Sequence, residues 1–251
     1  MWTTVVVQPL FNILVGFYNL LGSDLGVAII ALTLLIRLVL YPLAQRSLKS
    51  QVAMQEIQPK MKALQAQHKG DKEALAKATM EMYRESKVNP LSSCLPTLIQ
   101  LPFLFGIYWA LRLAVMSDGS FDLLYGFVEH PTALNETAFG FLPLGSPNIV
   151  LAVVAGAAQY WVTKMLITRR PPAAVAEKGG KDEGMMAMMN KQMLYVMPVM
   201  TVVIGATLPA GLTLYWFVTT VFQGVQQRIM FRRVTGDEKQ EQTIDTGAVS
   251  P

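Results

Sequence analysis

Apolar stretches long enough to cross a membrane alternate along this chain with strongly polar segments. From Leu25 to Leu43 the chain reads LGVAIIALTLLIRLVLYPL, nineteen residues carrying one charge, Arg37. At about 1.5 Å per residue, such a helix just crosses a hydrocarbon core roughly 30 Å thick. Further apolar stretches occupy 93–116, 149–167, 193–208 and 212–231. The second holds Pro96, Gln100 and Pro102, which predicts a helix that is not straight. In the third, Ala152, Ala155, Gly156 and Ala158 predict close packing against a neighbour, and Gln159 and Thr163 share a face one turn apart. The fourth is short, contains Pro198 and ends at a tight Pro209-Ala210-Gly211 turn. The fifth opens aromatic at Leu214-Tyr215-Trp216-Phe217 and closes on Gln223, Gln226, Gln227 and Arg228.

The remaining segments are amphipathic or polar. Over 1–24, Leu10, Ile13, Leu14, Phe17, Leu20 and Leu21 recur at helical spacing with Asn12 and Asn19 between them. This predicts an external amphipathic helix in the membrane interface, anchored by Trp2 and Tyr18; an additional full span is the competing reading. Residues 44–92 form a polar segment with nine Lys/Arg against five acids between Gln45 and Asn89. Ile57, Met61 and Leu64, then Leu75, Ala78 and Met82, predict two amphipathic arms turning at Lys69-Gly70-Asp71. Pro59 should kink or restart the first arm and Asn89-Pro90 should end the second, giving a basic helical hairpin that either docks something or is a solvated, lipid-attracted face. The 117–148 loop has four acids and no Lys/Arg; 168–192 is basic and flexible in composition; 232–251 is a tail opening near Arg232 and Arg233. Methionines 185, 186, 188 and 189 fit the apolar start of the fourth span better than a soft binding surface.

Charge sets the orientation. Both basic loops and the tail fall on one side if five spans run from an external N-terminus to a cytoplasmic C-terminus, as the positive-inside rule requires. Arg112, at the far end of the second span, then snorkels outward. The chain is 52% hydrophobic and 15% charged, against about 25% charge in a globular domain, so it is an all-α integral membrane protein. The lone cysteine, Cys94, excludes an internal disulfide and a cysteine metal cluster, and suits a small buried apolar position. The first residues show neither a basic n-region nor a cleavage site, and no transit peptide, which favours a bacterial plasma membrane.

Arg37 is the conspicuous group. It lies nine residues before Arg46, on the order of 13 Å inside the boundary, where a cation costs roughly 2.5–3.5 kcal/mol on insertion scales. It should face a partner or water, unless it snorkels to the headgroups. Thr33 lies one turn earlier on the same face and the spans hold no carboxylate, so an unpaired cation at this depth predicts a hydrated groove. The spans also lack the Asp, Glu or His that an ion-coupled transporter needs. His68 and His130 fall in loops, which argues against an intramembrane serine protease, and no ligand cluster points to a metal or other cofactor. The expectation is a protein that is not an enzyme.

The strings QPLFNIL, LIRLVLYPL, QPKMKALQ, KVNPLSSCLPTLIQLPF and LPAGLTLYWFVTTVFQGVQQ resemble, in order and spacing from about Gln8 to Phe231, the YidC-type membrane protein insertases and their mitochondrial and chloroplast relatives. The resemblance implies five membrane helices around a hydrophilic groove open to cytoplasm and lipid but closed outside. It assigns the groove arginine to Arg37, its threonine neighbour to Thr33 and the aromatic pair to Tyr215 and Trp216; Gln100 and Gln159 are added here as groove hydrogen-bonding groups. It further implies nascent membrane proteins as clients, the lipid bilayer as their destination, and the basic hairpin as a recruiting element. The Sec translocon, the ribosome or signal recognition components are the further candidate partners, with no nucleic-acid specificity and a monomer sufficient. The chain departs from many Gram-negative members in lacking a large external domain, an extra N-terminal span and a long basic tail. A chaperone or assembly factor acting with the translocon, without independent insertion, is the alternative function.

Overall fold

Asp24 starts the element around which the others pack. Its Oδ1 accepts hydrogen bonds from the backbone N–H groups of Gly26 at 2.8 Å and Val27 at 3.1 Å, capping helix α2 (Leu25–Val39). Its Oδ2 accepts a third, from the Phe139 N–H at 2.6 Å, which fastens the distant 137–143 hairpin over the start of that helix. Asp24→Ala should therefore cost about 1–2 kcal/mol, at the upper end for a lost cap. A lowered midpoint in detergent thermal unfolding, with faster amide exchange at Phe139, is the expected result.

The computed structural model describes residues 1–68, 70–89, 91–116, 121–131, 133–168 and 192–247, with backbone alone at 55, 58, 62, 91–97, 99, 115, 116, 168 and 232–247. A π-helical turn, Thr3–Val7, leads into α1 (Gln8–Leu20). After α2 come α3 (Tyr41–Glu56), α4 (Gln58–Gln67), α5 (Lys72–Glu85) and α6 (Leu91–Met116). A minimal antiparallel pair follows, β1 (Thr137–Ala138) with β2 (Leu142–Pro143), then α7 (Ile149–Thr168). A second π-helical turn, Gln192–Val196, precedes α8 (Met197–Gly205) and α9 (Ala210–Gly247).

Two boundaries depart from the hydropathy pattern. The apolar run 25–43 is not one rod, because α2 and α3 meet at Leu40 with a bend of 65°. Pro42 has no N–H for the Leu38 carbonyl and ends the ladder there. Helix α6 is a single assigned helix through Pro96 and Pro102, and α9 continues past Phe231 to Gly247 rather than stopping at the end of its apolar run. Pro59 does restart the first hairpin arm, standing in the first turn of α4. Asp71 caps the second arm, and Gly70 takes the left-handed φ of +93° that the turn before it requires. The methionine cluster 185–189 and the Arg169-Arg170 pair lie outside the described residues.

Among the described residues, Thr3–Leu20 and Ile149–Ile167 are long and apolar enough to cross a membrane, and the bent pair Leu25–Val39 with Tyr41–Met54 qualifies when taken together. The core forms where α1 meets α2 and α6. Phe11, Leu14, Val15 and Tyr18 bury against Leu25, Ile29, Leu32, Ile107 and Ala110. Helix α7 packs on α8 through its small residues, as their spacing predicts: a Cβ on Gly156 would strike Val202 and stand 3.1 Å from the Pro198 carbonyl oxygen, and one on Gly205 would stand 3.2 Å from Ala152.

Asn12, Tyr18 and Asn19 of α1 are engaged on one side of the molecule. Asn12 donates to the Leu123 carbonyl at 2.8 Å and accepts from the Tyr125 N–H at 2.6 Å; Asn19 donates to the Glu129 carbonyl at 2.7 Å. Tyr18 accepts from the Asn135 N–H at 2.9 Å. Positions 12 to 19 thus lie along the 121–136 segment for two turns of helix. Helix α9 is fixed at the same end: the Ala210 N–H donates to the Ser146 carbonyl at 2.9 Å and Gly211 N–H to Leu144 at 3.0 Å.

Candidate functional site

Arg37 stands in the last turn of α2, just before the bend, half-buried. A cation near a helix C-terminus is favoured by the unpaired carbonyls there. Among the described residues no carboxylate lies within salt-bridge distance of it. It lines a cleft of about 440 Å³ formed between five helices, its own among them. Helix α6 contributes Gln100, Leu101 and Leu104; α7 contributes Gln159; α9 contributes Tyr215, Trp216, Thr219, Thr220, Gln223 and Gln226. The remaining wall comes from α3, through Ala44, Leu48 and Gln51.

Five of the six residues singled out from sequence therefore meet around one space. Thr33 does not line it. Its side chain is fully buried, and its hydroxyl donates to the Ile29 carbonyl at 2.6 Å in its own helix. Sharing a helical face with Arg37 placed Thr33 correctly along α2, but the shorter side chain ends inside the packing. Gln159 donates to the Thr163 hydroxyl at 3.4 Å, matching their one-turn spacing. Gln100 donates through Nε2 to the Tyr215 hydroxyl, bridging α6 and α9 across the deep end.

Beyond the residues singled out from sequence, the cleft is lined by Thr219, Gln223 and Gln226 of α9 and by the α3 wall. Tyr215, Thr219, Gln223 and Gln226 follow one another at four, four and three residues, so they form a single polar stripe along α9. That spacing was visible in the sequence and is the signal that finds them. The α3 wall had no comparable signal, because Ala44 and Leu48 acquire their place only from the bend at Leu40.

The cleft stops short of the start of α9. Beyond Tyr215, a Cβ on Gly211 would already touch Leu111 at 3.4 Å, Ile29 at 3.5 Å and Leu144 at 3.6 Å. A separate cavity near this end, between Tyr108, Arg112, Leu144 and Pro209, measures only about 40 Å³ and cannot admit a chain. Arg112 is exposed there, its guanidinium 5.2 Å from the Trp109 ring centroid. Among the described residues, no three His, Cys, Asp or Glu side chains lie close enough to share a metal ion. The arrangement offers hydrogen bonds and one positive charge in a half-enclosed space, with Leu101, Leu104 and Trp216 as apolar surface beside it.

The family model described as 60Kd inner membrane protein matches residues 16–238. A membrane protein insertase YidC from Tolumonas auensis is 33% identical over 229 residues, covering 91% of this chain and 36% of that protein. One from Pelobacter propionicus is 33% identical, covering 94% and 40%. Membrane protein insertase YidC 2 of Listeria innocua is 31% identical over 246 residues, covering 96% of this chain and 75% of its own. The chain thus spans about two-fifths of the length of the first two proteins and three quarters of the third. A crystal structure of an active YidC insertase, with its first transmembrane domain resolved, superposes with a TM-score of 0.60 at 26% identity, covering 90% of this chain and 46% of that one.

Proposed function

Because this chain belongs to the 60Kd inner membrane protein family, whose YidC relatives are membrane protein insertases, we propose that its cleft receives the short polar external segment of a client protein and lets the client's hydrophobic helix leave sideways into lipid. The observation that carries this reading is a cleft lined by polar side chains and by one arginine that has no carboxylate partner among the described residues, with close packing around Gly211 beyond Tyr215. Moving a polar segment through hydrocarbon is costly because charges and unpaired peptide groups lose their water. A hydrated cleft reaching partway across shortens that passage. Arg37 attracts an acidic side chain of the leading segment, Gln100, Gln159 and the α9 stripe offer hydrogen bonds, and Tyr215 and Trp216 guide the apolar helix outward. Thr33 holds α2 rather than the client.

Five spans, 25–43, 93–116, 149–167, 193–208 and 212–231, with the N-terminus outside and the C-terminus in the cytoplasm, put the basic 44–92 hairpin and the 168–192 loop on the cytoplasmic side. Residues 1–24 then lie flat on the external face, a reading supported by the bonds that run α1 along the 121–136 segment, even though Thr3–Leu20 has the length and apolarity of a span. Nascent membrane proteins are the clients, a monomer suffices, and the hairpin recruits them alone or beside the Sec translocon or ribosome.

Purified protein in lipid vesicles should protect the external tail of a small single-span client from added protease, well above empty vesicles. Protection no better than the empty-vesicle background would overturn independent insertion and leave a chaperone that needs the translocon.

A further inference from the structure

The polar face of α9 continues past the point where the cleft ends. Gln227 is 1% exposed, and among the described residues neither Nε2 nor Oε1 of its side-chain amide has a hydrogen-bond partner. Burying both ends of an amide unpaired is unfavourable and rare, so the position needs a reason. One turn before Gln227 is Gln223, which lines the cleft; one turn after it is Phe231. Phe231 and Met230 close on Leu48 of α3, with Val52 and Leu166 packed alongside, as an apolar cluster separate from the main core. Leu48 belongs to both features, lining the cleft and forming the cluster. The unpaired amide therefore stands between a polar cleft and an apolar clamp.

The clamp has a joint. Helix α3 hangs from α2 across the 65° break at Leu40, and a polar tie to α9 beside that break, Gln226 Nε2 to the Tyr41 carbonyl, is long at 3.5 Å. Apolar contact holds the clamp shut while the unpaired Gln227 amide, one turn from Phe231 on α9, opposes closure, the balance expected of an element with two accessible states.

We propose that Gln227 is a further client-contacting residue, covered here by the Leu48–Met230–Phe231 clamp and uncovered when α3 and α9 part to admit an extended client segment. This rests on the insertase reading. A primary amide presents one acceptor and a donor pair, which matches a peptide group and is indifferent to client side chains. Gln227 thus extends the α9 stripe with a contact that serves any extended backbone, complementing the charge-selective contact at Arg37.

Two variants test this in the vesicle assay, using a client with an uncharged external tail. Gln227→Leu keeps the volume and removes the unpaired atoms, so it should stabilise the closed clamp and raise the unfolding midpoint by about 2–4 °C. Insertion should fall about tenfold, since the variant both favours closure and lacks the contact. A raised midpoint with unchanged insertion would mean a merely structural residue and overturn the proposal. Independently, Gln227→Cys in a Cys94→Ser background carries a unique thiol. A water-soluble maleimide should label it slowly in the resting protein and about tenfold faster while a stalled client is bound, as a minor state becomes the major one. Equal protection with and without client would overturn it. Cys94→Ser and wild type run alongside: if neither inserts the client, the insertase reading itself fails, a result distinct from failure of the Gln227 variants alone.

Discussion

Arg37→Ala is expected to lower insertion of a client with an acidic external tail about tenfold, with protein level and unfolding midpoint little changed. A cation and a carboxylate about 4 Å apart attract by roughly 4 kcal/mol at the effective dielectric of a partly wet site. Arg37 is only half-buried and the cleft is open, so water screens the contact and roughly 1.4 kcal/mol, a factor of ten, is the reasonable remainder. Arg37 has no carboxylate partner within the described part of the protein, so removing it breaks no internal ion pair and should not unfold the chain. Arg37→Lys should restore most of the activity, since the attraction depends on charge more than on the guanidinium fork. Thr33→Val serves as the contrast: its hydroxyl bonds only within α2 and lines no part of the cleft, so insertion should stay within about twofold of wild type. Undiminished insertion by Arg37→Ala would remove the arginine from the mechanism, and a large loss from Thr33→Val would show that the cleft extends deeper than its present walls.

The second large effect concerns stability. Gly156→Leu should lower the unfolding midpoint strongly, because even a Cβ at this site would strike Val202 and press on the Pro198 carbonyl at 3.1 Å. Overpacking a well-filled contact costs typically 1–3 kcal/mol, and here the obstruction includes backbone, which cannot rotate away. Helix α8 would be pushed off α7, the helix that carries Gln159 into the cleft, so insertion should fall along with stability. Gly16→Ala is the paired control: nothing lies within 4 Å of its added Cβ, and alanine in a helix interior should stabilise by about 0.5–1 kcal/mol. Equal midpoints for Gly156→Leu and Gly16→Ala would show that α7 and α8 are not in tight contact.

Local signals were legible in the chain because they depend on neighbours in sequence. The proline at 59 restarted the hairpin arm, and the Ala152-Ala155-Gly156 face packed closely as its spacing predicts. Arg37 stood out because a charge inside an apolar run is conspicuous wherever the run folds. The stripe from Tyr215 to Gln226 was equally present in the spacing, though nothing local distinguishes a cleft-facing stripe from one turned toward another helix.

The sequence by itself determined the helical class, the basic hairpin and the isolated arginine, all consequences of hydrophobicity and periodicity along one helix at a time. Tertiary structure alone decided which polar side chains face a common space. It turned Thr33 into the packing while leaving Arg37 in the cleft, because the two side chains differ in reach. It bent the 25–43 run at Leu40 and so made a cleft wall of α3, and it brought the 137–143 hairpin onto Asp24, more than a hundred residues away, to help cap the closed end. Those outcomes depend on how each helix rotates against neighbours remote in sequence, which periodicity within a single segment does not encode.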